Sequence, residues 1–145
     1  MGPGVTDAPP TALVLDEGLS LWGGMDPATG ELIDGHHPQR GANLAGRVLV
    51  MPSGRGSSSS ASVLAEAVRA GTAPAAILLR EPDLILAIGA AVAEELYGVR
   101  VPVVVLPSAA FEAIRDGQTV DLDRIGWQAP EGPTGPAAGE AFGAG

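Results

Sequence analysis

The sequence predicts an α/β domain in which a β-rich lobe precedes a βαβαβ layer. Between residues 47 and 115, short β-branched apolar runs alternate with longer stretches of helical period. Hydrophobic residues make up 46% of the chain and aromatics only 3%, so Val, Leu, Ile and Ala must build the core. At 145 residues the chain has the size of one domain, large enough for a real core. Strand–helix–strand order requires crossover connections, and those favour parallel pairing.

The elements follow in order. Residues 1–11 are rich in Gly and Pro and are expected to be flexible. Ala12–Glu17 (ALVLDE) reads as a short strand. In LSLWGGMDPATGEL, Gly23-Gly24 and Asp26-Pro27-Ala28-Thr29-Gly30 are turn signals. A polar loop over 34–43 holds both histidines. Arg47–Met51 is a strong strand candidate. In Ser60–Ala70, Val63, Leu64, Ala67 and Val68 fall on one helical face, closed by Gly71. Ala75–Leu79 is a buried strand, and Asp83–Tyr97 is a helix stopped by Gly98. Val101–Leu106 is a third strand of the layer, constrained at its start by Pro102. Ser108–Arg115 is a short helix with Ser108 as N-cap, and Thr119–Asp123 a final strand. The expected domain spans 12–127. Residues 128–145, rich in Pro, Gly and Ala without periodicity, are expected to be a disordered tail.

Charge and composition exclude several classes. The net charge is −9, and all eight cationic residues are arginines. Without a basic stripe, nucleic acid is not an expected partner. There is no cysteine, hence no disulfide and no thiolate-held metal cluster; an iron–sulfur centre would have to be ligated by another chain. No apolar run approaches the roughly 18 residues that span a bilayer. The first ten residues lack the charged and apolar regions of a secretion signal, so a cytoplasmic location is expected.

The chemistry concentrates in VLVMPSGRGSSSSASVLAEAVRAG, residues 48–71. Gly54-Arg55-Gly56-Ser57-Ser58 lies where a strand ends and a helix begins. Alternate glycines let backbone N–H groups turn inward, and the helix N-terminus adds partial positive charge, which suits an anion. Arg55 adds a guanidinium for a carboxylate or phosphate. The simpler reading is a Gly-rich turn with a serine cap. A P-loop is excluded by the absence of lysine, and a dinucleotide fingerprint by Ser59 at its third glycine. A nucleophile elbow fails because Ser60 stands at its closing glycine. His36 and His37 are adjacent and suit packing or surface roles better than metal binding. Asp83 reads as an acid complementing a helix dipole and Glu81 as a partner for Arg80, with a site at the strand's carboxyl end as the alternative for this stretch; Trp22 reads as core or pocket wall.

Taken together, LSLWGGMDPATGELIDGHHPQRG, GRVLVMPSGRGSSSSAS, APAAILLREPDLILAIGAAVAEELYG and VPVVVL resemble the small subunits of aconitase X across residues 12–106. The resemblance implies a swivelling β/β/α fold. It implies half of a heteromeric hydro-lyase, closing over a large subunit that holds an iron or iron–sulfur centre, with no cofactor in this chain. Bacterial members dehydrate cis-3-hydroxy-L-proline to Δ1-pyrroline-2-carboxylate, and archaeal members dehydrate (R)-5-phosphomevalonate. The serine after the second loop glycine is the family's proton-abstracting base, which falls on Ser57. Gly54, Arg55, Gly56 and Ser58 are then the expected grip on a small carboxylate substrate; Ser59 and Ser60 are capping and loop residues. The bacterial style of the loop and of the composition ranks hydroxyproline first. A regulatory anion-binding module that lost its chemistry is the alternative of another class. Two features depart from the family: Pro/Gly-rich sequence replaces an additional first strand, leaving the start truncated or irregular, and the tail after Trp127 has no counterpart.

Overall fold

A computed structural model describes residues 9–55 and 57–122. Its centre is a four-stranded, fully parallel sheet: β1 (Ala12–Val14), β2 (Val48–Met51), β3 (Ala76–Leu79) and β4 (Val103–Val105), side by side in chain order. Ala12 pairs with Val48, Val48 with Ala76, and Ile77 with Val103. The strand predicted at the start of the domain is thus the first member of the parallel sheet. It is three residues long because the chain turns away after Val14.

Two helices cross over on one face: α2 (Ser60–Ala70) between β2 and β3, and α3 (Leu84–Tyr97) between β3 and β4. Both end on glycines in the left-handed region, Gly71 and Gly98, as a side-chain-free C-terminus favours. The helices approach closely where Gly89 meets Ala61; a Cβ at Gly89 would lie 2.9 Å from Ala61 Cα. Side-chain alternation along the strands divides the interior. Leu49, Met51, Ile77 and Leu79 pack toward Leu64, Ala67, Leu86 and Ala93 of the helices. Val48, Val50, Ala76, Leu78 and Val104 pack on the opposite face with Phe111, Ile114 and Val120. Both faces of β2 and β3 are covered, which explains their uninterrupted apolar runs.

The connection from β1 to β2 carries a one-turn kinked helix, α1 (Leu21–Gly24), and two antiparallel bridges, Met25 to Leu32 and Glu31 to Asn43. This is the structural content of the predicted lobe, and Leu19, Leu21, Met25, Leu32 and Leu44 anchor it to the helical-side core. β4 starts only at Val103; Pro102, which has no N–H, contributes its carbonyl to Ile77 N–H instead. α4 (Ser108–Glu112) is shorter than expected, and Pro107 rather than Ser108 occupies its cap position. The predicted last strand reduces to one antiparallel bridge, Thr119 to Thr11; Asp123 lies outside the described residues. Of the N-terminal residues expected to be flexible, Pro10 and Thr11 accept hydrogen bonds from Val120 N–H and Val48 N–H; residues 1–8 and the predicted tail, 128–145, lie outside the described residues. Among the described residues no helix is long and apolar enough to cross a membrane.

Candidate active site

Three loops leave the carboxyl ends of β1, β2 and β3 and meet at one edge of the sheet, where open parallel sheets bind ligands. The loop after β2 is tied to the one before it by a parallel bridge between Leu19 and Gly54, and Arg55 N–H donates to Leu19 O at 3.3 Å. It is tied to the one after it through Pro52, whose carbonyl accepts from Arg80 and Glu81 N–H at 3.2 and 3.1 Å. Asp83 caps α3, its Oδ1 accepting from Leu86 N–H at 2.9 Å. Its other oxygen, Oδ2, abuts Gly54 so closely that a Cβ at Gly54 would overlap it. A side chain at Gly54 would have to push the Asp83 carboxylate aside from its capping position.

Ser57 stands just before α2, half-buried. Its Oγ accepts the backbone N–H of Ser59 at 3.2 Å, and its carbonyl accepts Ser60 N–H at 2.9 Å. A hydroxyl oxygen held by a backbone donor at a helix N-terminus sits in positive potential, which stabilises negative charge developing on it. Ser60 is buried, with Oγ 3.2 Å from Ser20 Oγ and accepting Trp22 N–H at 3.2 Å. Leu19, Gly54, Arg55, Ser57, Ser60 and Asp83 line a shallow cleft that encloses essentially no volume of its own. A complete small-molecule pocket encloses ~300–1,000 Å³.

The other expected site residues fall as follows. Gly56 lies outside the described residues. Ser58 is exposed and does not line the cleft. Arg55 lines it, but its guanidinium is exposed and paired with Glu17 Oε1 at 3.2 Å. Arg80 lies 5.5 Å over the ring of Phe111, a residue of the opposite sheet face. Trp22, expected in the core or a pocket wall, is 59% exposed; its backbone is engaged, its N–H donating to Ser60 Oγ and its carbonyl accepting from Ser20 Oγ. His37 is buried and satisfied: Nδ1 accepts from Gln39 N–H at 3.0 Å, so Nε2 carries the proton donated to Glu17 O at 3.2 Å. His36 is exposed. Among the described residues no three His, Asp or Glu side chains group to hold a metal, and the chain has no cysteine, so these residues do not fit a resident iron centre. The sequence reads Ser60 as a capping or loop residue and Asp83 as a helix-end acid, with a site at that strand end only as the alternative. Ser60's partners lie 38 and 40 residues away, a separation that leaves no local signature.

The candidate site is thus a backbone-held hydroxyl at a helix mouth, on the carboxyl edge of a parallel sheet and in a shallow, open cleft. The chain belongs to the aconitase X swivel-domain family, whose model matches residues 5–128. It is 60% identical over 89 residues to a cis-3-hydroxy-L-proline dehydratase of Pseudomonas aeruginosa, a match covering 61% of this chain but 15% of that relative. It is 38% identical over 122 residues to the phosphomevalonate dehydratase small subunit of Archaeoglobus fulgidus, covering 83% of each chain. The solved structure of Thermococcus kodakaraensis aconitase X in its holo-form superposes with a TM-score of 0.66 at 31% identity, over 76% of this chain and 78% of that one.

Proposed function

We propose that this chain is the small subunit of a hydro-lyase that dehydrates cis-3-hydroxy-L-proline to Δ1-pyrroline-2-carboxylate, with Ser57 as the base. The observation carrying the proposal is the Ser57 hydroxyl, bonded to Ser59 N–H at the mouth of α2. In this reading Ser57 Oγ takes the proton from the carbon next to the substrate carboxylate. The hydroxyl on the neighbouring ring carbon leaves, and the enamine formed tautomerises to the imine product. Serine is a weak base in water; the amide donor and helix terminus lower the cost of its alkoxide. The small cleft supports a division of labour in which a larger chain completes the enclosure, excludes water and contributes any metal centre.

The 60% identity to the Pseudomonas dehydratase favours hydroxyproline. The second reading, a phosphomevalonate dehydratase small subunit, is favoured by the matched length of the archaeal small subunits. A phosphate needs more cationic grip than the one arginine at the cleft, already paired with Glu17, supplies. The test is to reconstitute the chain with the large subunit from its own genome and assay both substrates. Ser57→Ala should lower kcat by about a thousandfold or more with assembly intact. Unchanged turnover would remove Ser57 from the mechanism, and a stable pair that turns over neither substrate would favour the regulatory module.

A further inference from the structure

Among the described residues nine large apolar side chains are more than a third exposed, and six of them lie between residues 84 and 99. Four recur at every fourth position of α3: Leu84 (74% exposed), Ile88, Val92 and Leu96 (62%). That spacing sets them along one side of the helix as a continuous stripe. A helix apolar on all sides is ordinarily buried on all sides. Here the inner side, with Leu86, Gly89, Ala90 and Ala93, meets the sheet and α2, and the stripe on the outer side joins neither core among the described residues.

We infer that the outer face of α3 is the docking surface for the large subunit, seated on an apolar strip of that chain with basic residues at its border. The inference rests on the two-chain reading above and adds which surface makes the contact. Two observations select this occupant. First, the stripe begins at Leu84, between Asp83 and Ile85, both of which line the Ser57 cleft. A body that covers the cleft therefore continues directly onto α3. Second, the net charge beside the stripe is acidic: Glu94 and Glu95 close the helix with no basic residue in its last turn, Arg100 offsets Glu94 at 3.0 Å, and the chain carries −9 overall. A second copy would bring a further −9 against this face, whereas a basic-rimmed partner is attracted to it.

The test compares binding of the purified large subunit to wild type, Ile88→Glu, Val92→Glu and, as a control, Ser62→Glu on the exposed side of α2. Circular dichroism and melting of each free variant verify folding, which substitutions on an exposed face leave intact. Ile88→Glu and Val92→Glu should each weaken assembly by about a hundredfold or more, because a carboxylate would be buried against apolar surface. Ser62→Glu should change it by no more than about twofold. At saturating large subunit, Ile88→Glu should recover most of the wild-type kcat, since Ser57 is untouched. Wild-type affinity in both α3 variants would overturn the docking surface while leaving the dehydratase reading standing. A wild-type dimer that Ile88→Glu dissociates without weakening the mixed pair would overturn it too, marking the face as a self-contact. Failure of wild type to pair at all would overturn the two-chain reading and this inference with it.

Discussion

The helices α2 and α3 sit side by side on the same sheet face, yet their outer surfaces are built for different neighbours. α2 turns Ser62 and Arg69 outward, and Arg69 is bonded to Glu66 one turn earlier. α3 turns Leu84, Ile88, Val92 and Leu96 outward. Their ends reverse the contrast: Asp83 caps α3 with a side-chain bond, whereas Ser59, in the cap position of α2, makes none. The lesson concerns what each helix must satisfy. α2 begins in the serines of the Ser57 loop and turns polar side chains outward; α3 has a fixed start and an outer side unsuited to water.

The contrast can be broken most severely from the inside. Leu64 of α2 is fully buried against the sheet, so Leu64→Ala should cost about 3 kcal/mol in urea unfolding. Ile88→Ala on α3 should stay within about 0.5 kcal/mol in the isolated chain. Equal losses at both positions would mean that the outer face of α3 is already covered in the free protein. At the seam between the helices, Gly89→Val drives side-chain atoms into the Ala61 backbone and should cost roughly 2 kcal/mol, read from the same unfolding curves.

The helix starts should separate next. Asp83→Ala should cost about 1 kcal/mol and Ser59→Ala only a few tenths, because only Asp83 holds a backbone N–H. The smallest effect belongs to the outside of α2. Hydrogen bonding from Arg69 holds the Glu66 carboxyl below its ordinary value of 4.5, so the ion pair stabilises the fold above that range. The contribution is lost as pH falls through the lowered folded pKa. Both side chains are exposed, so Glu66→Gln should shift the melting temperature at pH 7 by no more than about a degree, and not at all at pH 2.

Much of this organisation was legible before any coordinates. The apolar runs of β2 and β3, the helical period of 60–70 and the glycines that stop α2 and α3 are local signals, and local bonding produced what they announce. The turn from β2 into α2 marked the Ser57 loop through its own Gly and Ser residues. What could not be read depends on distant partners. The lobe over residues 19–47 resolves into isolated bridges and side-chain anchors, with no periodicity to detect. Arg55 looked free because Glu17, 38 residues earlier, is brought beside it only by the sheet. The exposure of α3 was equally hidden: LILAIGAAVAEELY announces a helix, but composition alone does not say which of its sides the chain leaves uncovered.

The contact between Asp83 and Gly54 joins these themes mechanically. One carboxylate both finishes a helix and bears on the loop that carries the hydroxyl, so helix start and loop meet at a single corner. A second body seated on that helix, as inferred above, would reach through this one carboxylate to the loop that carries Ser57.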